Sequence, residues 1–330
     1  KEAREKYKFE GVVGNSPVMM RLLNILMELI NSESNVLITG ESGTGKELVA
    51  HAIHSNSRRS DKPFVVVNCG AVPENLQESE LFGHVMGSFT GAVKDKNGIF
   101  LEAQGGTLFL DEIGETSPST QVKLLRFLQN GEIRKVGDNK PIYLDIRIIV
   151  ATNKDLDEAT KNGSFRKDLF YRLNVIRIHL PPLRERKEDI PLLINYFVNI
   201  YANKLRKKPP EISGDAMELL LNYPWPGNVR ELENVIERSV TLVKGYMITV
   251  ADLALQTVSP VDTMNVMIET RGIRAALAQE ERKTILESLR RHAGNRKQVA
   301  TNLGISTTTL WRKMKEYQIV SKTSYNTENV

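Results

Sequence analysis

The chain reads as an α/β protein, an open doubly wound parallel sheet with helices on both faces, followed by segments that are helical throughout. Three observations predict this. Short apolar runs of strand length alternate with helix-period patterns through the first ~180 residues. The strand signal stops after "LPPLRERKEDIP". The excess of positive over negative charge is confined to one segment near the C-terminus.

The apolar runs are "NVLIT" before Gly40, "FVVVN" after Pro63, "TLFLDE" at Thr107, "LDIRIIVATN" at Leu144 and "NVIRIHL" at Asn174. Their length and continuity predict fully buried parallel strands. Between them, "QVKLLRFLQNGEI" sets Val122, Leu124, Leu125 and Leu128 at helical spacing and stops at Gly131. From Leu192 to Lys244 the pattern predicts about three helices, punctuated by Pro209, Pro210, Gly214 and "YPWPGN". Trp225 and Pro226 are expected to pack around that last turn. A weakly patterned stretch near Gln256 to Thr270 reads as a linker, with helices again from Ile273. The opening "KEAREKYKFEGVVGNSP" also reads as a linker running into a domain, so a further segment is expected upstream.

With 330 residues, 41% of them hydrophobic, the chain can bury a core in each of about two domains, which excludes a disordered or fibrous protein. Arg271 to Val320 holds 11 Lys and Arg against 4 Asp and Glu, a net +7, whereas the whole chain is only +5. A basic segment behind a slightly acidic body predicts a nucleic-acid-binding module. No stretch approaches the roughly 18 apolar residues of a membrane span, and the start has no secretory pattern. A cytoplasmic protein without membrane contact is expected. The single cysteine, Cys69, follows a strand and predicts a packed thiol. His51 and His54 lie three apart on one helix, but no cysteine or acid cluster accompanies them as a zinc site requires.

Chemistry enters at "NVLITGESGTGKELVAHAI", where Gly40, Gly45 and Lys46 form GxxxxGK between a strand and a helix. Backbone N–H groups of Gly40 to Glu47 (Glu41, Ser42, Gly43, Thr44 and Gly45 between them) and the helix start would cradle phosphates, with Lys46 reaching the terminal ones. Glu47 stands where the usual pattern has Ser or Thr. "GGTLFLDEIG" ends a strand in adjacent acids: Asp111 would hold magnesium, directly or through water, and Glu112 would polarise an attacking water. Asn153, closing "IVATN", suits sensing of the γ-phosphate or the water.

"GESGTGKE", "LFGHVMGSFTGA", "GGTLFLDEIG", "GSFRKDLFYRLNVIRIHLPPLRER" and "WPGNVRELENVIER", in this order, resemble the central AAA+ domain of the bacterial enhancer-binding proteins, the NtrC-like activators of sigma-54 RNA polymerase. The resemblance spans most of the chain, and Glu47 is ordinary within it. It implies an α/β subdomain over 9–182, a helical lid over 183–248, a Fis-type helix-turn-helix over 271–320, linkers at 1–8 and 249–270, and a tail over 321–330.

For single residues the resemblance implies more. Gly87, Ser88, Phe89, Thr90, Gly91 and Ala92 match the GAFTGA loop that contacts sigma-54, with Ser88 in place of alanine and Val85-Met86 in place of the commoner Glu-Lys. Glycines at both ends permit a mobile hairpin presenting Phe89 and Thr90 at its tip. Arg166 and Arg172 match candidate arginine fingers, which reach the nucleotide of a neighbouring subunit. Arg230 matches the second sensor arginine, and Asn68 the residue that restrains Glu112. Shared sites imply dimers assembling to a hexameric or heptameric ring that works on ATP and Mg2+.

"NRKQVATNLGISTTTLWRKMKEY" places Ala300, Gly304 and Leu310 at helix-turn-helix offsets, with Ser306 as N-cap. Thr307, Thr308, Thr309, Arg312 and Lys313 would line the recognition helix against double-stranded enhancer DNA. The resulting expectation is an ATP-driven activator that remodels the closed sigma-54 polymerase–promoter complex. The rivals are a DNA-binding repressor whose AAA+ domain only senses a ligand, a helicase loader, and an unfoldase.

Overall fold

The computed structural model describes residues 9, 11–253, 255, 285–292, 295–302, 306, 307, 310, 311, 314 and 319. The chain divides into two compact units, parting after Ala254.

In the first unit, Ser16 caps α1 (Pro17–Leu29), whose Pro17 sits where a helix needs no N–H donor. Met19, Leu22, Leu23, Leu26 and Leu29 form its buried stripe. There follow β1 (Val36–Thr39), α2 (Lys46–Ser55), β2 (Phe64–Asn68), α3 (Glu74–Phe82) and a short antiparallel pair, β3 (Gly83–His84) with β4 (Lys96–Asn97). Next come α4 (Ile99–Glu102), β5 (Thr107–Asp111), α5 (Pro118–Asn130) and a second short hairpin, β6 (Glu132–Ile133) with β7 (Ile142–Tyr143). Then β8 (Arg147–Thr152), α6 (Leu156–Lys161), α7 (Lys167–Leu173) and β9 (Ile176–His179) complete the α/β part.

The five long strands are parallel in the order β2-β5-β8-β1-β9. Alternate side chains divide them between two cores. Leu37, Leu108, Leu110, Ile148 and Val150 pack with Phe82, Phe100 and Phe127 on one face. Val36, Ile38, Phe109, Ile149 and Ala151 pack with α1 and α2 on the other. Helices therefore cover both faces, as the apolar runs predict.

Full burial of every strand is not what the fold provides. β2 and β9 are the sheet edges, and Val66 is 43% exposed. The run "FVVVN" reads like a central strand because β-branched residues suit either place. α5 begins at Pro118, three residues earlier than its apolar pattern, because the Ser117 side chain accepts from Thr120 N–H and Pro118 occupies the first helical position. Gly131 ends it in the left-handed conformation at φ 68°.

The helices expected after the α/β part are α8 (Ile190–Lys204), α9 (Gly214–Asn222) and α10 (Asn228–Leu242). A two-residue parallel pair, β10 (Glu211–Ile212) with β11 (Met247–Ile248), joins them and has too few residues to leave a sequence signal. Trp225 packs as expected, wholly buried with its indole N–H on Leu220 O at 2.9 Å, but Pro226 beside it is exposed. Trp225 adopts φ 50°, and this turn points the indole inward and the proline ring to solvent.

The second unit shows a helix at 285–291 and α11 (Arg296–Asn302). Ile285, Val299, Ala300, Leu310 and Met314 are buried together, so the small residue and the apolar anchor of the turn pattern do face one core. Thr307 is exposed. Thr308, Thr309, Arg312, Lys313 and Gly304 lie outside the described residues.

Candidate active site

The loop between β1 and α2 starts at Gly40, whose φ of 155° brings its Cα against Leu180 O: a Cβ there would lie 2.7 Å from that oxygen. Gly43 is tighter still. At φ 77°, a Cβ on it would meet Gly227 O at 2.3 Å, so only glycine fits between the loop and the start of α10. Thr44 Oγ1 turns inward to donate to Glu41 O at 2.8 Å, and Gly45 at φ 101° leads into α2. The first N–H groups of α2 thus face one cleft.

That cleft is lined by Ser42, Gly43, Gly45, Lys46, Glu47, Leu48, Asn68, Asp111, Glu112, Val229, Arg230 and Glu233. Strand order brings these together: β1, which feeds Lys46, is separated from β5, which ends in Asp111, by β8 alone. Lys46 is largely buried, and its ammonium donates to Gly40 O at 2.9 Å and Glu41 O at 3.0 Å. Burial lowers its pKa, and Asp111 and Glu112 pull the other way. Asp111 Oδ1 accepts the Glu112 N–H at 2.9 Å. Glu112 itself adopts φ 52°, rare for a residue with a side chain, and its Oε2 would lie 2.3 Å from a Cβ on Gly70. Cys69 beneath is buried, and desolvation, reinforced by Asp111 and Glu112, pushes its thiol up to about 12. It is a packed thiol.

Asn68 lines the same cleft, with its carboxamide oxygen on Gly70 N–H at 2.8 Å and Ala71 N–H at 3.1 Å. No hydrogen bond joins it to Glu112 among the described residues. Asn153 lies one residue beyond the end of β8, exposed and outside the cleft lining. Arg166 and Arg172 are exposed and absent from the cleft lining. Arg166 pairs with Asp168 at 2.7 Å, and Arg172 Nε donates to Leu128 O at 3.2 Å. His54 is engaged inside the fold, with Nδ1 3.0 Å from Thr107 Oγ1.

The lid closes one wall, through residues that sequence reasoning passed over. Arg184 makes a two-pronged ion pair with Glu41, and Asn228 Nδ2 donates to the same carboxylate at 3.1 Å. Arg186, buried, donates to Thr44 O at 3.0 Å. Arg230 Nη1 donates to Ser42 Oγ at 3.2 Å. "LPPLRER" and "GNVREL" marked the segments, but only contact with the loop singles out Arg184, Arg186 and Asn228. Glu41 therefore turns its side chain to the lid, and Gly40, Glu41 and Thr44, expected at the nucleotide, are absent from the cleft lining. Behind Thr44 and Gly45 is an apolar recess lined by Gly11, Val12, Met19, Leu48, Leu193 and Val229 among others.

The Gly87–Ala92 loop extends from the β3–β4 pair and is closed by Gly87 N–H to Ala92 O at 2.8 Å. Gly87 and Gly91 both have positive φ, 80° and 105°. Thr90 is exposed at the turn. Phe89 is only partly so, at 38%, because its ring folds back edge-on to His84, 5.0 Å between centroids.

The described family of sigma-54 interaction domains matches residues 12–179, slightly more than half of the chain. The chain belongs to the sigma-54-dependent activator family. An AAA+ lid domain matches residues 184–265, and the Fis family of bacterial regulatory proteins matches residues 266–317. The activator family is of ATPase type, with an AAA+ core, a helical lid and a helix-turn-helix. Its relatives include the transcriptional regulatory protein ZraR of Salmonella typhimurium, 49% identical over 92% of this chain and 68% of its own length. The regulatory protein AtoC of Escherichia coli is 47% identical over 95% of this chain and 69% of its own. Among solved structures, NtrX of Brucella abortus in complex with ADP superposes with a TM-score of 0.69 at 34% identity, covering 96% of this chain and 70% of that one. The same protein is also known in complex with ATP. Among the described residues, no helix is long and apolar enough to cross a membrane.

Proposed function

We propose that this activator hydrolyses ATP in the β1–β5 cleft and uses the cycle, as a ring bound to upstream DNA, to remodel the closed sigma-54 polymerase–promoter complex. The observation that carries the reading is the convergence of Lys46, Asp111, Glu112, Asn68 and Arg230 on one cleft. Phosphates would lie on the N–H groups of Gly43 to Glu47 with Lys46 on the terminal ones. The cleft's acidic donors are carboxylates, the hard oxygen ligands that magnesium takes. Asp111 would hold it, and when bound it neutralises charge on the phosphate oxygens. Glu112 orients and polarises the attacking water, and Asn68, one strand end away, restrains it until the partner is engaged.

Asn153, absent from the cleft lining, would sense the γ-phosphate. Arg166 and Arg172, exposed and absent from the lining of their own cleft, would act as fingers in that of a neighbour, which would make turnover depend on assembly into a hexamer or heptamer. The Gly87–Ala92 loop contacts sigma-54. Thr307, Thr308, Thr309, Arg312 and Lys313 would contact double-stranded enhancer DNA.

The test is ATP turnover of the purified chain over a concentration series, with and without sigma-54 and a transition-state analogue. Turnover that rises with assembly, and analogue-dependent capture of sigma-54, are expected. Turnover without capture would replace this reading with another AAA+ remodeller; no turnover at any concentration favours the ligand-sensing repressor.

A further inference from the structure

Asn228 opens α10 with a left-handed backbone, φ 53°, and is completely buried. Its side chain is used at both ends. Nδ2 donates to Glu41 Oε2 at 3.1 Å and to Ser42 O at 3.0 Å, while Oδ1 accepts the Leu183 N–H at 2.8 Å. The next two residues continue the seam: Val229 and Arg230 donate their N–H groups to Gly43 O at 2.9 and 3.3 Å. Three successive loop residues, Glu41 to Gly43, are thus held by three successive lid residues, Asn228 to Arg230.

The left-handed backbone does not explain the asparagine, because glycine adopts it at no steric cost. The three side-chain bonds do. Asn228 itself is closed to water, so separating its amide from these partners leaves a buried polar group unpaired, and the lid and the loop move together. We infer that Asn228 is a positioning residue that fixes the register between the lid and the phosphate loop, so that Arg230 meets the cleft only in step with the shape of Glu41 to Gly43. This rests on the ATPase reading above.

Two variants of the full chain test it. Asn228→Gly keeps the backbone and deletes the side-chain bonds. Asn228→Asp keeps the shape and the bond from Leu183, but opposes a carboxylate to Glu41 and to Ser42 O. In hydrogen exchange without nucleotide, the Val229 and Arg230 amides of Asn228→Gly should exchange about tenfold faster or more while Leu232 to Val240 keep their protection. Unchanged rates would overturn the inference, and protection lost along the whole helix would replace it with a general role in the stability of α10. In kinetics, Asn228→Gly should lower kcat about tenfold with the ATP Kd within roughly threefold, and Asn228→Asp, which adds repulsion to the lost bonds, should lower kcat at least as much. Unaltered kcat in either variant, or a Kd change that accounts for the whole loss, contradicts it. If the unaltered chain does not hydrolyse ATP, the ATPase reading falls, and the exchange measurement decides the role of Asn228 by itself.

Discussion

Glu41 in the phosphate loop and Arg184 at the first turn of the lid grip each other through two parallel bonds, Nη1 to Oε2 at 2.8 Å and Nη2 to Oε1 at 2.6 Å. The Arg184 guanidinium, with the Asn228 amide second, lowers the Glu41 carboxyl to about 2 from its ordinary 4.5. A depressed carboxyl stabilises the fold above its ordinary value and ceases to do so as pH falls through the folded one. The difference in melting temperature between the parent chain and Glu41→Gln should therefore be constant above about pH 5 and shrink toward pH 2. Both side chains are substantially exposed, so the difference is small, and a pH-independent gap would contradict the pairing.

Glu112 is held in an unusual backbone state with its carboxylate against Gly70. Glu112→Gln should bind ATP as the parent does and lose turnover by about 10²-fold or more. Gly70→Ala, which puts a methyl where the carboxylate lies, should also lower turnover at near-normal affinity. Nucleotide binding measured beside steady-state turnover separates these effects.

Thr90 is exposed at the loop turn and does not line the cleft. Thr90→Ala should leave ATP turnover unchanged and abolish analogue-dependent capture of sigma-54. Normal promoter opening by this variant would remove the loop from its assigned role.

Ser88 stands where the family has alanine, and its hydroxyl is buried without a partner. A Cβ on Gly137, in the β6–β7 hairpin, would lie 2.6 Å from Ser88 Cβ, so no space remains for the hydroxyl to find one there. Ser88→Ala should stabilise the domain by up to about 1 kcal/mol, and Gly137→Ala, at φ 82°, should destabilise it. Denaturant midpoints of the two variants check both signs.

Much of the fold was legible because its signals are local. Five apolar runs marked the five strands, Gly131 marked a helix end, and three amphipathic stretches marked the lid. The cleft was legible where one segment carries the chemistry, as with Gly40 to Glu47 or Asp111-Glu112. It was not legible where distant segments meet. Nothing in "FVVVN" distinguishes an edge strand from a central one, and nothing near Asn228 announces a carboxylate 187 positions earlier.

The sequence by itself determined the family, the α/β alternation, the phosphate loop and the acids of β5, since periodicity, glycine placement and charge act within a few residues. The tertiary structure alone decided that β8 lies between β1 and β5, that Phe89 rests on His84, and that Glu41 serves the lid. Those choices depend on which buried surfaces fit and which polar groups must find partners once water is excluded, and both are properties of the packed chain.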